Sequence, residues 1–173
     1  MAYRIEPYTA ASRLPSMCQA CLYWEHPRIF KTRPDIERAT SLKQKWIRKR
    51  GGVTAWGFVA YVNETPVGFC HFAASPFFPM LREYQCGEVS PDSLLIACLH
   101  IASSMQGQGL GQRLRARVEE QASNDGFTAV ETIARMNSAD NPSGPVSFWR
   151  NSGYTLISLV YHDEFALMRK ALR

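Results

Sequence analysis

The chain has 173 residues, 46% hydrophobic and 20% charged, which is enough for one well-filled core, so a single domain over residues 1–173 is expected. No apolar run approaches the roughly 20 residues of a membrane-spanning helix, and residues 1–6 lack the long apolar stretch of a secretion signal; a soluble, cytoplasmic protein with no membrane role is expected. The formal charge of +5 favours acidic partners without choosing among them, and an odd set of five cysteines (Cys18, Cys21, Cys70, Cys86, Cys98) argues for a reducing compartment over a disulfide framework.

In chain order, residues 3–7 read as a short strand, and residues 14–24 have helical apolar spacing interrupted near the start by Pro15. Asp35, following Pro34, starts a helix to about residue 49, with Ile36, Ala39, Leu42, Trp46 and Ile47 as a buried stripe and Lys43, Lys45, Arg48 and Arg50 in solvent. Gly51 and Gly52 end it. Residues 55–62 and 67–74, rich in β-branched and aromatic side chains, predict an antiparallel hairpin around a turn at 63–66. Two proline-bearing segments, 76–91 and 137–145, are the irregular connections. Residues 94–101 are almost wholly apolar without alternation, which predicts a central strand covered on both faces. A helix over 109–124 follows, with Leu110, Leu114 and Val118 on one face and Asp125-Gly126 as its stop. A strand at 129–133, a short helix at 146–151 and strands at 154–161 and 165–169 complete a mixed α/β order.

Gln106-Gly107-Gln108-Gly109-Leu110-Gly111 joins the central strand to the amphipathic helix. Alternate glycines let backbone N–H groups converge where side chains would block a ligand, and the positive end of the helix favours anionic oxygens. A tight turn that needs glycine only for its geometry is the plain alternative. A Walker loop fails here because Gln112-Arg113 follows Gly111, and a dinucleotide fingerprint fails because Gln112 stands where its third glycine belongs.

The loop resembles the pyrophosphate-binding signature of the GNAT superfamily of N-acyltransferases, Gln/Arg-x-x-Gly-x-Gly/Ala, matched by Gln106, Gly109 and Gly111. Ile101, five positions before Gln106, resembles the aliphatic strand exit of that family, and residues 141–154 resemble its second signature, an asparagine-led helix with paired aromatics and a following glycine. The resemblance implies a mostly antiparallel central sheet with a splayed parallel strand pair, flanked by helices. It implies transfer of an acetyl group from acetyl-CoA, the cosubstrate, to an amine of a small molecule or peptide. Carried over residue by residue, it implies backbone contacts of Leu99 and Ile101 with the thioester and pantetheine arm. The amides of Gln106, Gly107, Gln108, Gly109, Leu110 and Gly111 would hold the pyrophosphate, Asn141 would contact the pantetheine or adenylate, and Phe148 and Trp149 would pack along the cofactor. Trp149 departs from the tyrosine that many relatives carry, and an indole N–H supplies no proton at neutral pH.

For the amine proton, Glu131 is the sharpest candidate as a lone carboxylate in an apolar strand; a paired or edge-exposed glutamate is the competing reading. His100 is a candidate relay against the alternative of a structural histidine, and His71 is equally ambiguous. Cys98 reads as a buried inert thiol, and Cys18-x-x-Cys21 lacks the second pair that zinc would need, so no metal is expected. Tyr23, Trp24, Phe77, Phe78 and Tyr84 suit an aromatic acceptor pocket or the core equally. The basic run 43–50 reads as a solvated helix face, not a nucleic-acid surface. The rival from another class is a non-enzymatic acyl-CoA-binding sensor. Acceptor identity and pairing of two copies as a homodimer stay open.

Overall fold

The computed structural model describes residues 3–48, 56–84, 88–136, 143–160 and 164–172. Seven strands, β1 (Arg4–Pro7), β2 (Gly57–Val62), β3 (Thr65–Ala74), β4 (Ser93–Ile101), β5 (Ala129–Arg135), β6 (Thr155–Val160) and β7 (Phe165–Ala171), form one sheet in the order β1-β2-β3-β4-β5-β7-β6. Every neighbouring pair is antiparallel except β4 and β5, which are parallel and joined by helix α4 (Leu110–Asn124). The remaining helices are α1 (Ser16–Gln19), α2 (Pro27–Lys31), α3 (Ile36–Arg48) and α5 (Val146–Arg150), giving a mixed α+β fold.

Local chemistry accounts for the boundaries. Asn63 and Glu64 both take positive φ (46° and 64°), the two-residue turn whose twist matches a hairpin, so Thr65 and Pro66 already pair with Val62 and Tyr61 and the turn is shorter than 63–66. Helix α4 ends where Gly126 reaches φ 81° and the Phe127 N–H bonds the Ala122 carbonyl at 3.0 Å. The Asp35 carboxylate accepts the Arg38 N–H at 2.8 Å and so caps α3.

Three expectations are corrected. The apolar stretch 14–24 holds a single helical turn, α1, and a second short helix begins on Pro27, because each proline fits only a first turn and disfavours helix in the residue before it. In α3, Ala39, Trp46 and Ile47 are buried, but Ile36 is 71% exposed and Lys43 only 3% exposed. Ile36 overhangs the first turn, whereas Lys43 lies on the inward face, where a buried carboxylate receives it. Residues 49–55, including Arg50, and Cys86 lie outside the described residues.

The sheet carries a core on each face. Leu95, Ala97, Ile133, Leu167, Phe69 and Ala73 pack with Leu14, Cys18, Trp24, Trp46 and Tyr84 of the N-terminal half. Leu94, Ile96, Val130, Ala134, Ala166 and Met168 pack under Leu110, Leu114, Val118 and Ala122 of α4 and Trp149 of α5. Among the described residues no helix is long and apolar enough to cross a membrane.

Candidate active site

The site is built where β4 leaves β5. The parallel pair runs only from Ser93–Ala129 to Ile96–Thr132, although both strands continue, and the Thr132 hydroxyl donates to the Ile96 carbonyl at 2.9 Å at the last paired step. The cause is a bulge. His71 pairs with Cys98 and Phe72 with Ile96, so Ala97 is an extra residue on β4, and a bulged strand bends at that point. Beyond it β4 follows β3 and parts from β5, giving a V-shaped opening.

Backbone direction alternates along a strand. Ala102 N–H bonds the Val67 carbonyl on β3 at 2.8 Å, so alternation turns the N–H and C=O groups of His100 toward β3 and those of Leu99 and Ile101 toward the opening. On the other arm, the Arg135 N–H donates to the Gly144 carbonyl at 3.2 Å and the Ser143 hydroxyl donates to the Ile133 carbonyl. The edge of β5 is therefore covered by the segment leading into α5 while that of β4 stays open, an asymmetry the sequence did not signal.

The glycine loop closes the end of the V. Gln106 Nε2 donates to the Ile101 carbonyl at 3.0 Å, pinning the loop to the strand exit. Gly107 and Gly109 take φ of 73° and 76°, a conformation that side chains resist, and a Cβ on Gly107 would meet nothing within 4 Å. The first N–H groups of α4 have no intrahelical acceptor and point out of its start. Arg115 and Arg117 pair with Glu119 and Glu120, while Arg113 lies in the first turn of α4 and no acid occurs from residue 101 to 118, so exposed amides, helix terminus and the Arg113 charge suit an anion such as a pyrophosphate. Phe148 is half-buried, and a Cβ on Gly111 would lie 3.6 Å from its ring and 3.7 Å from Ile101, so α5 packs against the loop through Phe148.

Trp149 stands elsewhere than along an open cleft: it is fully buried in the α4-side core, and its indole N–H donates to the Ser143 carbonyl at 2.8 Å. Asn141 lies outside the described residues. Glu131 is 2% exposed at the closed end of the V, opposite Leu95. Its carboxylate accepts Arg169 Nη1 at 2.8 Å, the Ser90 N–H at 3.1 Å and the Ser93 hydroxyl at 3.3 Å. His100 is half-buried, and burial lowers its pKa below the ordinary histidine value. Cys98 lies just past the bulge, and burial holds its thiol well above the usual cysteine range.

A charged cluster that no local spacing in the chain announces lies beneath the β4 bulge. Lys43 Nζ bonds Glu25 Oε1 at 2.5 Å and the Cys21 carbonyl at 2.7 Å, and His71 Nδ1 lies 3.5 Å from the same carboxylate oxygen. Burial lowers the His71 pKa to about 3, partly countered by Glu25. The ion pair holds Glu25 below and Lys43 above their ordinary values against the opposing effect of burial. Among the described residues, no three His, Cys, Asp or Glu side chains converge as a metal site.

A strand–glycine turn–helix unit beside a splayed parallel pair defines the class. The family model "Acetyltransferase (GNAT) family" matches residues 19–154, and the chain belongs to that family of acetyltransferases. Solved structures share the fold at low identity. The PaiA N-acetyltransferase of Thermoplasma acidophilum, in complex with coenzyme A, is 13% identical with a TM-score of 0.64, covering 99% of each chain. Ard1 of Thermoplasma volcanium is 12% identical at TM-score 0.63, over 100% of this chain and 99% of that one. An N-acetyltransferase of Staphylococcus aureus Mu50 is 14% identical at 0.61, covering both chains fully. No curated protein matches by sequence.

Proposed function

We propose that this acetyltransferase takes its acetyl group from acetyl-CoA and passes it to a primary amine by direct attack on the thioester. The observation that carries the reading is the opening of β4 beside a glycine turn rich in free N–H groups. There the amides of Gly107, Gln108, Gly109, Leu110 and Gly111 would hold the pyrophosphate, with Asn141 on the pantetheine or adenylate side and Phe148 against the cofactor; the Gln106 N–H is already given to the Ser103 carbonyl at 3.3 Å, so Gln106 serves through its side chain at the strand exit. Leu99 and Ile101 would present backbone groups to the thioester and pantetheine arm, an N–H steadying the developing oxyanion. The amine nitrogen forms the C–N bond, the C–S bond breaks, and the departing thiolate takes its proton from solvent, since Trp149 is sealed in the core and has no acidic proton.

Of the two proton acceptors considered, His100 fits better than Glu131. It is neutral at physiological pH because burial disfavours its charged form, whereas Glu131 is engaged by three donors at the closed end of the V. A panel of amine and peptide acceptors, screened for acetyl-CoA-dependent release of free thiol, tests the reaction. His100→Asn should lower turnover about a hundredfold and abolish the acidic limb of the pH profile, which should lie below 6.5 because the base works unprotonated and its pKa is lowered. An unaltered profile would remove His100 from the reaction.

A further inference from the structure

Three elements meet on the face of the V opposite α4. Lys43 grips both ends of the five-residue stretch Cys21–Glu25, bonding the Cys21 carbonyl and the Glu25 carboxylate, so the Tyr23 position between them is fixed from the interior. Tyr23 Oη lies 2.5 Å from Tyr84 Oη, and the Tyr23 ring meets Phe30 edge-on at 5.4 Å. Tyr84 meets Phe165 at 5.1 Å, and Phe165 pairs with Arg135, the last residue of β5. On the other arm, Cys98 of β4 packs against the same core as Cys18 and Trp24. The aromatic wall thus stands across the open end of the V.

Tyr23 and Phe165 are half-buried and Phe30 is 41% exposed, so three rings are left partly open at one place, where packing alone would seal them. Glu83 and Glu164 stand at the rim, Glu83 3.9 Å from Lys31 and Glu164 3.7 Å from Arg135. Arg135 lies over one face of Phe165, 5.1 Å from its centroid, so an ammonium is drawn by the rim carboxylates and the remaining ring faces, and the rings offer flat apolar contact to what it is attached to. We infer that Tyr23, Phe30 and Phe165 form the acceptor subsite, and that it takes a primary amine carried on a flat aromatic body. Lys43 positions this wall without touching substrate. The inference rests on the acyl-transfer reading and specifies its acceptor.

The test compares 2-phenylethylamine with n-butylamine, two primary amines that differ in the ring. Binding to the full chain loaded with coenzyme A is measured by calorimetry, alongside acetyl-CoA-dependent thiol release. The aromatic amine should bind at least about tenfold more tightly, and the difference should appear in KM more than in kcat. Tyr23→Ala and Phe165→Ala should each erase most of that preference with coenzyme A affinity unchanged, and Tyr23→Phe, which keeps the ring, should restore it. Equal binding of the two amines, no binding of phenylethylamine, or a preference that survives both alanine variants overturns the subsite. Failure of the acyl-transfer reading shows differently, as no coenzyme A binding and no thiol release with any amine.

Discussion

Glu25 and Lys43 are a buried ion pair whose charges are satisfied mainly by each other, with the Cys21 carbonyl taking a further Lys43 proton. Removing one partner leaves the other charged in a water-excluded place, which costs about 3–5 kcal/mol in comparable pairs. Glu25→Gln should therefore lower unfolding free energy by that order in urea titration, more than any surface ion pair of this chain, where under about 1 kcal/mol is expected. Glu131 makes the contrasting case. Arg169 is partly exposed, and glutamine keeps some hydrogen bonding, so Glu131→Gln should cost about 1–3 kcal/mol of stability and leave turnover within about twofold. A fall in kcat of about a hundredfold at unchanged stability would instead assign proton transfer to Glu131. The lone carboxylate in an apolar strand was visible in the sequence; Arg169, Ser90 and Ser93, distant in the chain, were not.

At the scale of elements, the strand–turn–helix unit depends on Gly109 as the left-handed residue just before α4. A β-branched side chain there is strained by about 1–3 kcal/mol and crowds the amides that would face a phosphate. Gly109→Val should keep the far-ultraviolet circular dichroism of the fold while weakening acetyl-CoA binding beyond calorimetric detection. Unchanged affinity in the folded variant would show that the glycine serves the turn alone. The loop could be located from residues because strand apolarity, glycine spacing and helix periodicity are all local. The α3 stripe was misread at Ile36 and Lys43 for the opposite reason: periodicity names a face, but only a partner such as Glu25 decides whether a lysine belongs on it.

For the whole molecule, His71 sets a pH dependence. Folded, it stays neutral down to about pH 3; unfolded, it takes a proton near its ordinary 6.5. Between those values the unfolded chain binds the extra proton, so acid favours unfolding. The contribution is whole above 6.5 and shrinks as pH falls toward 3, by about 2 kcal/mol at pH 5 at about 1.36 kcal/mol per unit. Urea titrations at pH 7.5 and pH 5 should show that loss, and His71→Phe, which does not titrate, should show a smaller one. Equal slopes in both proteins would mean that His71 keeps its charge on folding.

The sequence by itself determined the element order from α3 onward, the buried central strand, the glycine turn and the helix after it, because each follows from spacing within a few residues. It also carried the family resemblance, which lies in two short motifs. Tertiary structure alone decided that Ala97 bulges and opens the V, that Ser143 and Gly144 cover the β5 arm, and that Trp149 turns inward. It alone placed Lys43 between Cys21 and Glu25. These facts rest on pairings between residues 6 to 27 positions apart, and the desolvation of a charge or the register of a strand depends on the partner as much as on the residue.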